Sequence, residues 1–161
     1  MKPTQAIAII LSLASTALIS SCGDDHHHGK GLPHSHVAPH GGTLIECGDH
    51  QYNLEVVHDS ASGDLEIYVL DGHASNPIRI KQESIEVTIV TDDVDAKQLF
   101  NLPAIADSQQ EKTVGDTDFF RAKEALSGTK KFKGTIKNIT IEGTLYENLS
   151  FQYPPEKHSH K

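Results

Sequence analysis

Short runs in which apolar and polar residues alternate constrain the fold of this chain more than any other feature. The clearest runs are Leu65–Leu70, Ser84–Thr91 and Leu145–Tyr153. Because successive side chains of a β-strand point to opposite faces, such runs predict half-buried strands. Turn residues separate them, as in Asp59–Asp64 and at Glu142-Gly143. The sequence therefore predicts an all-β fold, mainly antiparallel, in the form of a small sandwich or barrel.

Residues 40–153 are expected to form this domain. Weaker versions of the same pattern predict further strands at Thr43–Cys47, Gln51–His58, Pro77–Ile80, Lys97–Leu102 and Lys133–Ile141. Polar residues 107–118 predict a long loop. The segment Arg121–Ser127 is expected to form a short helical turn that Gly128 closes.

The first 21 residues have the layout of an export signal. A short positive start, Met1-Lys2, precedes the mostly apolar run Ala6–Ile19, and small residues follow it. The run is shorter than the roughly 20 apolar residues that a spanning helix needs. The next residues, Ile19-Ser20-Ser21-Cys22, resemble the lipobox of bacterial lipoproteins.

The lipobox resemblance implies that Cys22 becomes the first residue and carries the lipid. Its thiol takes a diacylglyceryl group and its new amine an acyl chain such as palmitate, and several chains together anchor a protein stably. Gly23 follows the cysteine, which by resemblance to lipoprotein sorting favours the outer membrane, facing the periplasm. The alternative is an ordinary signal peptide that contains a cysteine.

Charge and cysteine content narrow the classes of function. The formal net charge of −8 argues against a nucleic-acid partner and against attraction to anionic lipids. Lipidation of Cys22 would leave Cys47 without a disulfide partner, so the domain is expected to depend on its core alone. Cys47 shares a strand face with Ile45, which favours a buried apolar thiol.

Histidine is over-represented, with 11 residues in 161, and many lie near the N-terminus. Residues 22–39 are polar and rich in Gly, Asp and His, which predicts a disordered tether. The spacing His34-x-His36-x3-His40 suits chelation of Zn, Cu(II) or Ni by neutral imidazole. Such binding would be lost near pH 6 and below, where imidazole protonates. His73, after the Asp71-Gly72 turn signal, is the in-domain histidine most readily added to the site.

Other histidines are possible helpers or have other roles. The possible additional ligands are His26, His27 and His28 of the tether and His158 and His160 of the polar tail, residues 154–161. A Cys47-x-x-His50 pair offers two ligands, which do not make a site alone. His58 ends a predicted strand and is interpreted as a satisfied edge residue.

The sequence contains no catalytic signature. It has no G-x-S-x-G elbow, no H-E-x-x-H and no phosphate-cradling loop. We therefore expect neither an enzyme nor a small-molecule substrate.

The segment Ala38-Pro39-His40-Gly41-Gly42, followed by the Leu54–Val57 strand, resembles a periplasmic segment of heavy-metal efflux adaptor proteins. Those proteins carry a similar His-Gly-Gly opening before a Leu/Val-Glu-rich strand. The longer pattern, including Tyr68–His73 and Phe132–Tyr146, is similar to small bacterial lipoproteins. The resemblance implies an envelope β domain with a link to metal homeostasis. This chain has no coiled-coil hairpin or lipoyl-like region, so it cannot be a pump adaptor by itself.

Two functions follow as hypotheses. The first is an envelope lipoprotein that binds or buffers a divalent transition metal through His34, His36, His40 and His73 and is an accessory to a metal efflux system. The second is a non-catalytic interaction or structural module in which the His-rich segment is a passive tether. A tether should tolerate replacement by a flexible linker of equal length, whereas a metal site should not.

Overall fold

The computed structural model describes residues 36–91 and 94–155. In these residues the chain forms eight β-strands joined by turns and loops, and none of them lies in a helix that could span a membrane. The strands are β1 Thr43–Cys47, β2 Tyr52–His58, β3 Leu65–Asp71, β4 Ser84–Thr91, β5 Val94–Pro103, β6 Phe119–Ala122, β7 Phe132–Ile141 and β8 Thr144–Tyr153.

The strands form two antiparallel sheets of four strands each. The first sheet has the order β1-β2-β3-β6 and the second the order β5-β4-β7-β8. The sheets are joined on one side, where Ala104 bridges to Phe120 and the Ile105 amide donates to the Phe119 carbonyl. On the other side the Thr43 hydroxyl of β1 donates to the Gln152 carbonyl of β8. The predicted all-β sandwich is confirmed.

Alternating side chains from both sheets fill the core. On β3 the inward residues Leu65, Ile67 and Val69 are fully buried, and the residues between them are only partly buried. On β4 the same holds for Ile85, Val87 and Ile89. Burial of such aliphatic side chains contributes about 1.5–3 kcal/mol each. One continuous core therefore stabilises the domain.

Two expectations for local secondary structure need correction. The segment Arg121–Ser127 does not form a helical turn: Arg121 and Ala122 pair with β3, and Glu124 has a φ of 52°, which interrupts a right-handed helix. The strand expected at Pro77–Ile80 is present only as two isolated bridges, Leu70 to Pro77 and Ile80 to Thr117.

Residues 36–42 lie against the outer face of the first sheet, and we call them the strap. The sequence assigned residues 36–39 to the tether. His40 of the strap stacks on Tyr68 of β3, with ring centroids 3.8 Å apart. The Gly42 amide donates to Glu55 of β2. The strap therefore begins before the predicted domain boundary at residue 40.

Candidate metal site

One end of the first sheet brings three chain segments together. Cys47, Tyr52 and Asp71 are aligned across β1, β2 and β3. The β1–β2 turn, which follows Cys47, and the loop after Asp71 are therefore neighbours. His50 lies in the turn and His73 in the loop, and His36 at the start of the strap reaches the same place.

Gly72 makes the approach of the loop to the turn possible. A Cβ atom at this position would lie 2.0 Å from the carbonyl oxygen of His50, far inside van der Waals contact. The Asn53 side-chain amide donates to the carbonyls of Asp71 and Gly72, at 3.2 and 3.0 Å. These contacts hold the backbone of His73 beside that of His50.

The loop that carries His73 is closed on itself by Asp71. The Asp71 carboxylate accepts hydrogen bonds from the Ser75 amide at 2.8 Å and from the Asn76 side chain at 2.6 Å. The Ser75 amide, with the other donors, holds the pKa of Asp71 below its ordinary value. Ala74 is buried, whereas His73 is exposed. The loop thus holds the His73 imidazole towards solvent.

Glu46 holds the His50 side of the site. Its carboxylate accepts the His50 amide at 3.0 Å and lies 3.4 Å from His50 Nδ1. His50 has a φ of 56°, in the left-handed region, which turns the chain back into β2. Potential ligand atoms of Glu46, Asp49 and His50 all lie within 4.8 Å of one another.

His36 lies between the other two imidazoles. Its ring centroid is 6.3 Å from that of His50 and 5.7 Å from that of His73, and both pairs meet edge to face. The structure therefore brings together two of the predicted ligands, His36 and His73. It adds His50, with Glu46 and Asp49 beside it.

His40, the third predicted ligand in the described residues, has a different partner. Its Nδ1 lies 2.7 Å from Glu55 Oε2, and its amide donates to Glu55 Oε1 at 2.8 Å. The Gly42 amide donates to the same oxygen at 2.9 Å. His40 is thus part of the hydrogen-bonded attachment of the strap, and the prediction that it shares a site with His36 is not supported by its position.

Two further residues have structural roles. The ring nitrogens of His58 face two carbonyl oxygens, that of Asp64 at 3.0 Å and that of Thr129 at 2.8 Å, and its side chain is buried. Cys47 is fully buried, and burial, with a smaller contribution from the Glu46 carboxylate, raises the pKa of its thiol to about 11. The two ring nitrogens of His58 already face carbonyl oxygens and the Cys47 side chain has no access to solvent, so neither residue is placed to ligate an ion.

Several predicted positions lie outside the described residues. They are the lipidation site Cys22 and the possible ligands His26, His27, His28, His34, His158 and His160.

The sequence analysis did not place His50 and Glu46 in the site. The Cys47-x-x-His50 spacing drew attention to His50, but only as the partner of a thiol that points into the core. The informative signal was the turn itself: His50 lies in the short turn between Gly48 and Gln51, and Asp71-Gly72 marks a second turn. Only the strand register shows that these two turns are neighbours.

Comparison of the chain with protein-family models, with curated proteins and with solved structures found no match.

Proposed function

We propose that this chain is a lipid-anchored protein of the bacterial cell envelope that binds a divalent transition metal ion. His36, His50 and His73 supply the imidazole ligands, and Glu46 is the nearest carboxylate. The proposal is supported by the approach of His36 to both His50 and His73, three residues from three separate segments.

The separations of the rings suit a shared ion. With a Zn–N bond of about 2.1 Å, two imidazoles on one tetrahedral ion have ring centroids about 5 Å apart. The observed separations from His36, 5.7 Å to His73 and 6.3 Å to His50, are longer than this, so a shared ion requires the side chains to move closer together. Three nitrogens and one oxygen are ligands that Zn(II), Cu(II) and Ni(II) accept.

The carboxylates around the site support cation binding in two ways. Glu46 and Asp49 place negative charge beside the imidazoles, on a chain with a formal net charge of −8. Glu46 also lies 3.4 Å from His50 Nδ1, and a carboxylate in that position fixes the orientation of the ring. The site therefore favours a cation even before an ion binds.

The ligand side chains are exposed, which favours a site that buffers or transfers a metal ion over one that stores it permanently. The side chains of His50 and Glu46 are 55% and 45% exposed, so a bound ion would be accessible to a second protein. We propose that the ion is passed to a metal efflux system in the envelope. The export signal and lipobox at Cys22 support this location.

Calorimetric titration of the chain from Cys22 to Lys161 with Zn(II) and Cu(II) tests the metal site. Replacing His36, His50 and His73 together with alanine should weaken binding by on the order of 100-fold or more, since loss of a single outer-shell partner already costs about 10–100-fold.

The matched control replaces His26, His27 and His28 with alanine. It removes the same number of imidazoles from a segment outside the candidate site. We expect the tight site of this control to keep its affinity. Equal losses in the two triple variants would mean that metal binds wherever histidine is abundant, and would favour the alternative of a structural module with a passive tether.

A further inference from the structure

The strap has two points of attachment to the domain. Near its C-terminal end, His40 and Gly42 bind Glu55 through three N–H groups, at 2.7–2.9 Å. At its N-terminal end, His36 contacts only the rings of His50 and His73 among the aromatic groups described. The two attachments are four residues apart.

We propose that the strap is a metal-dependent clasp: an ion at His36, His50 and His73 fastens residues 36–39 to the sheet, and Glu55 and His40 are positioning residues for the His36 ligand. This inference rests on the proposed metal site and adds its regulation.

Glu55 attaches the C-terminal part of the strap to the first sheet. Its neighbours Leu54 and Val56 point into the core, so its side chain points to the outer face, where a carboxylate is normally solvated. Here it is fully buried. The burial of a charge is tolerated only when hydrogen bonds compensate for the lost solvation, and the strap supplies those bonds. The C-terminal part of the strap is therefore held in one register.

The N-terminal part of the strap has no comparable attachment. Val37 is 85% exposed and Pro39 is exposed as well, and Ala38 is only partly buried, so apolar burial holds this part of the strap weakly. The Gly41 amide bonds to the Ala38 carbonyl, which shapes a turn within the strap but does not join it to the sheet. Coordination of an ion by His36 would supply the missing attachment.

The two attachments must affect each other. A docked strap keeps His36 close to His50 and His73, which raises the effective concentration of this ligand at the ion. By linkage, an ion that binds the docked strap more tightly also favours docking, by the same free energy. Weakening the Glu55 anchor should therefore weaken metal binding although Glu55 is not a ligand.

Hydrogen exchange of the chain from Cys22 to Lys161, with and without Zn(II), tests the clasp. We expect Zn(II) to slow exchange of the Val37 and Ala38 amides about tenfold or more. The substitution Glu55→Gln should weaken Zn(II) binding in calorimetry about 3- to 30-fold at unchanged stoichiometry. It should also reduce the Zn(II)-dependent slowing of exchange.

Glu66→Gln is the matched control. Glu66 lies on the same outer face, where it accepts from the Tyr68 hydroxyl at 2.9 Å and lies 3.6 Å from Arg121, but it makes no hydrogen bond to the strap. The Glu66→Gln chain should bind Zn(II) with the same affinity as the unaltered chain. Circular dichroism verifies folding of both variants. If Glu55→Gln does not fold, His40→Ala, which keeps the two amide bonds to Glu55, should show the same effects in smaller size.

The outcomes separate the clasp from the proposed function. If Zn(II) binds at the three histidines but leaves strap exchange unchanged, and Glu55→Gln binds as Glu66→Gln does, the clasp is wrong and the metal site stands. If Zn(II) does not bind at these histidines, both fail.

Discussion

At the scale of single residues, Cys47 contributes to the core as a buried thiol, in a domain whose predicted range contains no second cysteine. Its thiol is fully buried in the core and lies 3.9 Å from the carbonyl of Ile45. The sequence predicted this role because Cys47 shares a strand face with Ile45, and the burial confirms it. Side-chain alternation within one strand was sufficient for that prediction.

We predict that Cys47 is inert in the folded chain. Burial raises the pKa of its thiol to about 11, so almost no reactive thiolate exists at pH 8. In a chain carrying Cys22→Ser, Ellman's reagent should leave Cys47 unlabelled in the absence of urea. In urea, it should label Cys47 at the rate at which the protein unfolds. Rapid labelling in the absence of urea would contradict the burial.

The same residue sets a dependence of stability on alkaline pH. The unfolded thiol has a pKa of about 8.5. Because the folded pKa is higher, this contribution to stability is complete below about pH 8.5 and is lost as pH rises towards 11. The difference in unfolding free energy between the Cys22→Ser chain and a Cys22→Ser/Cys47→Ala chain should therefore shrink over that range.

Glu55 illustrates what single-strand reasoning misses. Alternation places it on the outer face of β2, where a solvated carboxylate is expected. Its complete burial depends on His40 and Gly42, which are 13 to 15 positions away in the sequence.

At the scale of elements, strands with regular alternation were predicted well and short or irregular ones were not. The Glu142-Gly143 hairpin turn is present, with both residues at positive φ, as a two-residue turn of this kind requires. Strand β6, Phe119–Ala122, was missed because four residues show no period. It becomes a strand through pairing with β3.

Gly72 is expected to set the distance between the loop that carries His73 and the turn that carries His50. A methyl group in Gly72→Ala would meet the His50 carbonyl at 2.0 Å, so the loop or the turn must move. We expect a loss of about 1–3 kcal/mol in unfolding free energy, typical of overpacking. Zn(II) affinity should also fall, because His73 and His50 separate.

Gly128→Ala is the control for that measurement. Gly128 has a φ of 76°, so alanine there is strained, but a Cβ atom meets nothing within 4 Å and the position is outside the candidate site. It should lower stability and leave Zn(II) affinity unchanged. Similar affinities in the two variants would show that Gly72 does not position the ligands.

At the scale of the whole molecule, the site depends on where the strap begins. Replacing residues 24–35 with an equal number of Gly and Ser residues should preserve tight Zn(II) binding, because a flexible spacer sets only reach. Extending the replacement through residue 37 also removes His36 and should weaken Zn(II) binding. Calorimetry should therefore give a higher Zn(II) affinity for the first chain than for the second. Equal affinities would mean that residues 36 and 37 belong to a passive tether.

The sandwich was predictable as a class, and the site was not. The sequence predicted His36 and His73 as ligands from their residue type, from the spacing of the histidines and from a nearby turn signal. It grouped them with His40 because these residues are close along the chain, whereas the sheet register groups them with His50. Which turns share one end of a sheet is a property of topology, and no local pattern encodes it.

The strand order of the first sheet also affects the order in which its strands form during folding. Strands β1, β2 and β3 follow one another through short turns, but β6 joins β3 only after a detour of roughly fifty residues that includes β4 and β5. Bringing distant segments together costs loop-closure entropy before contacts repay it. We therefore expect the β1–β3 meander to form early and the arrival of β6 to limit the rate, with the edge of β3 open to other chains until then.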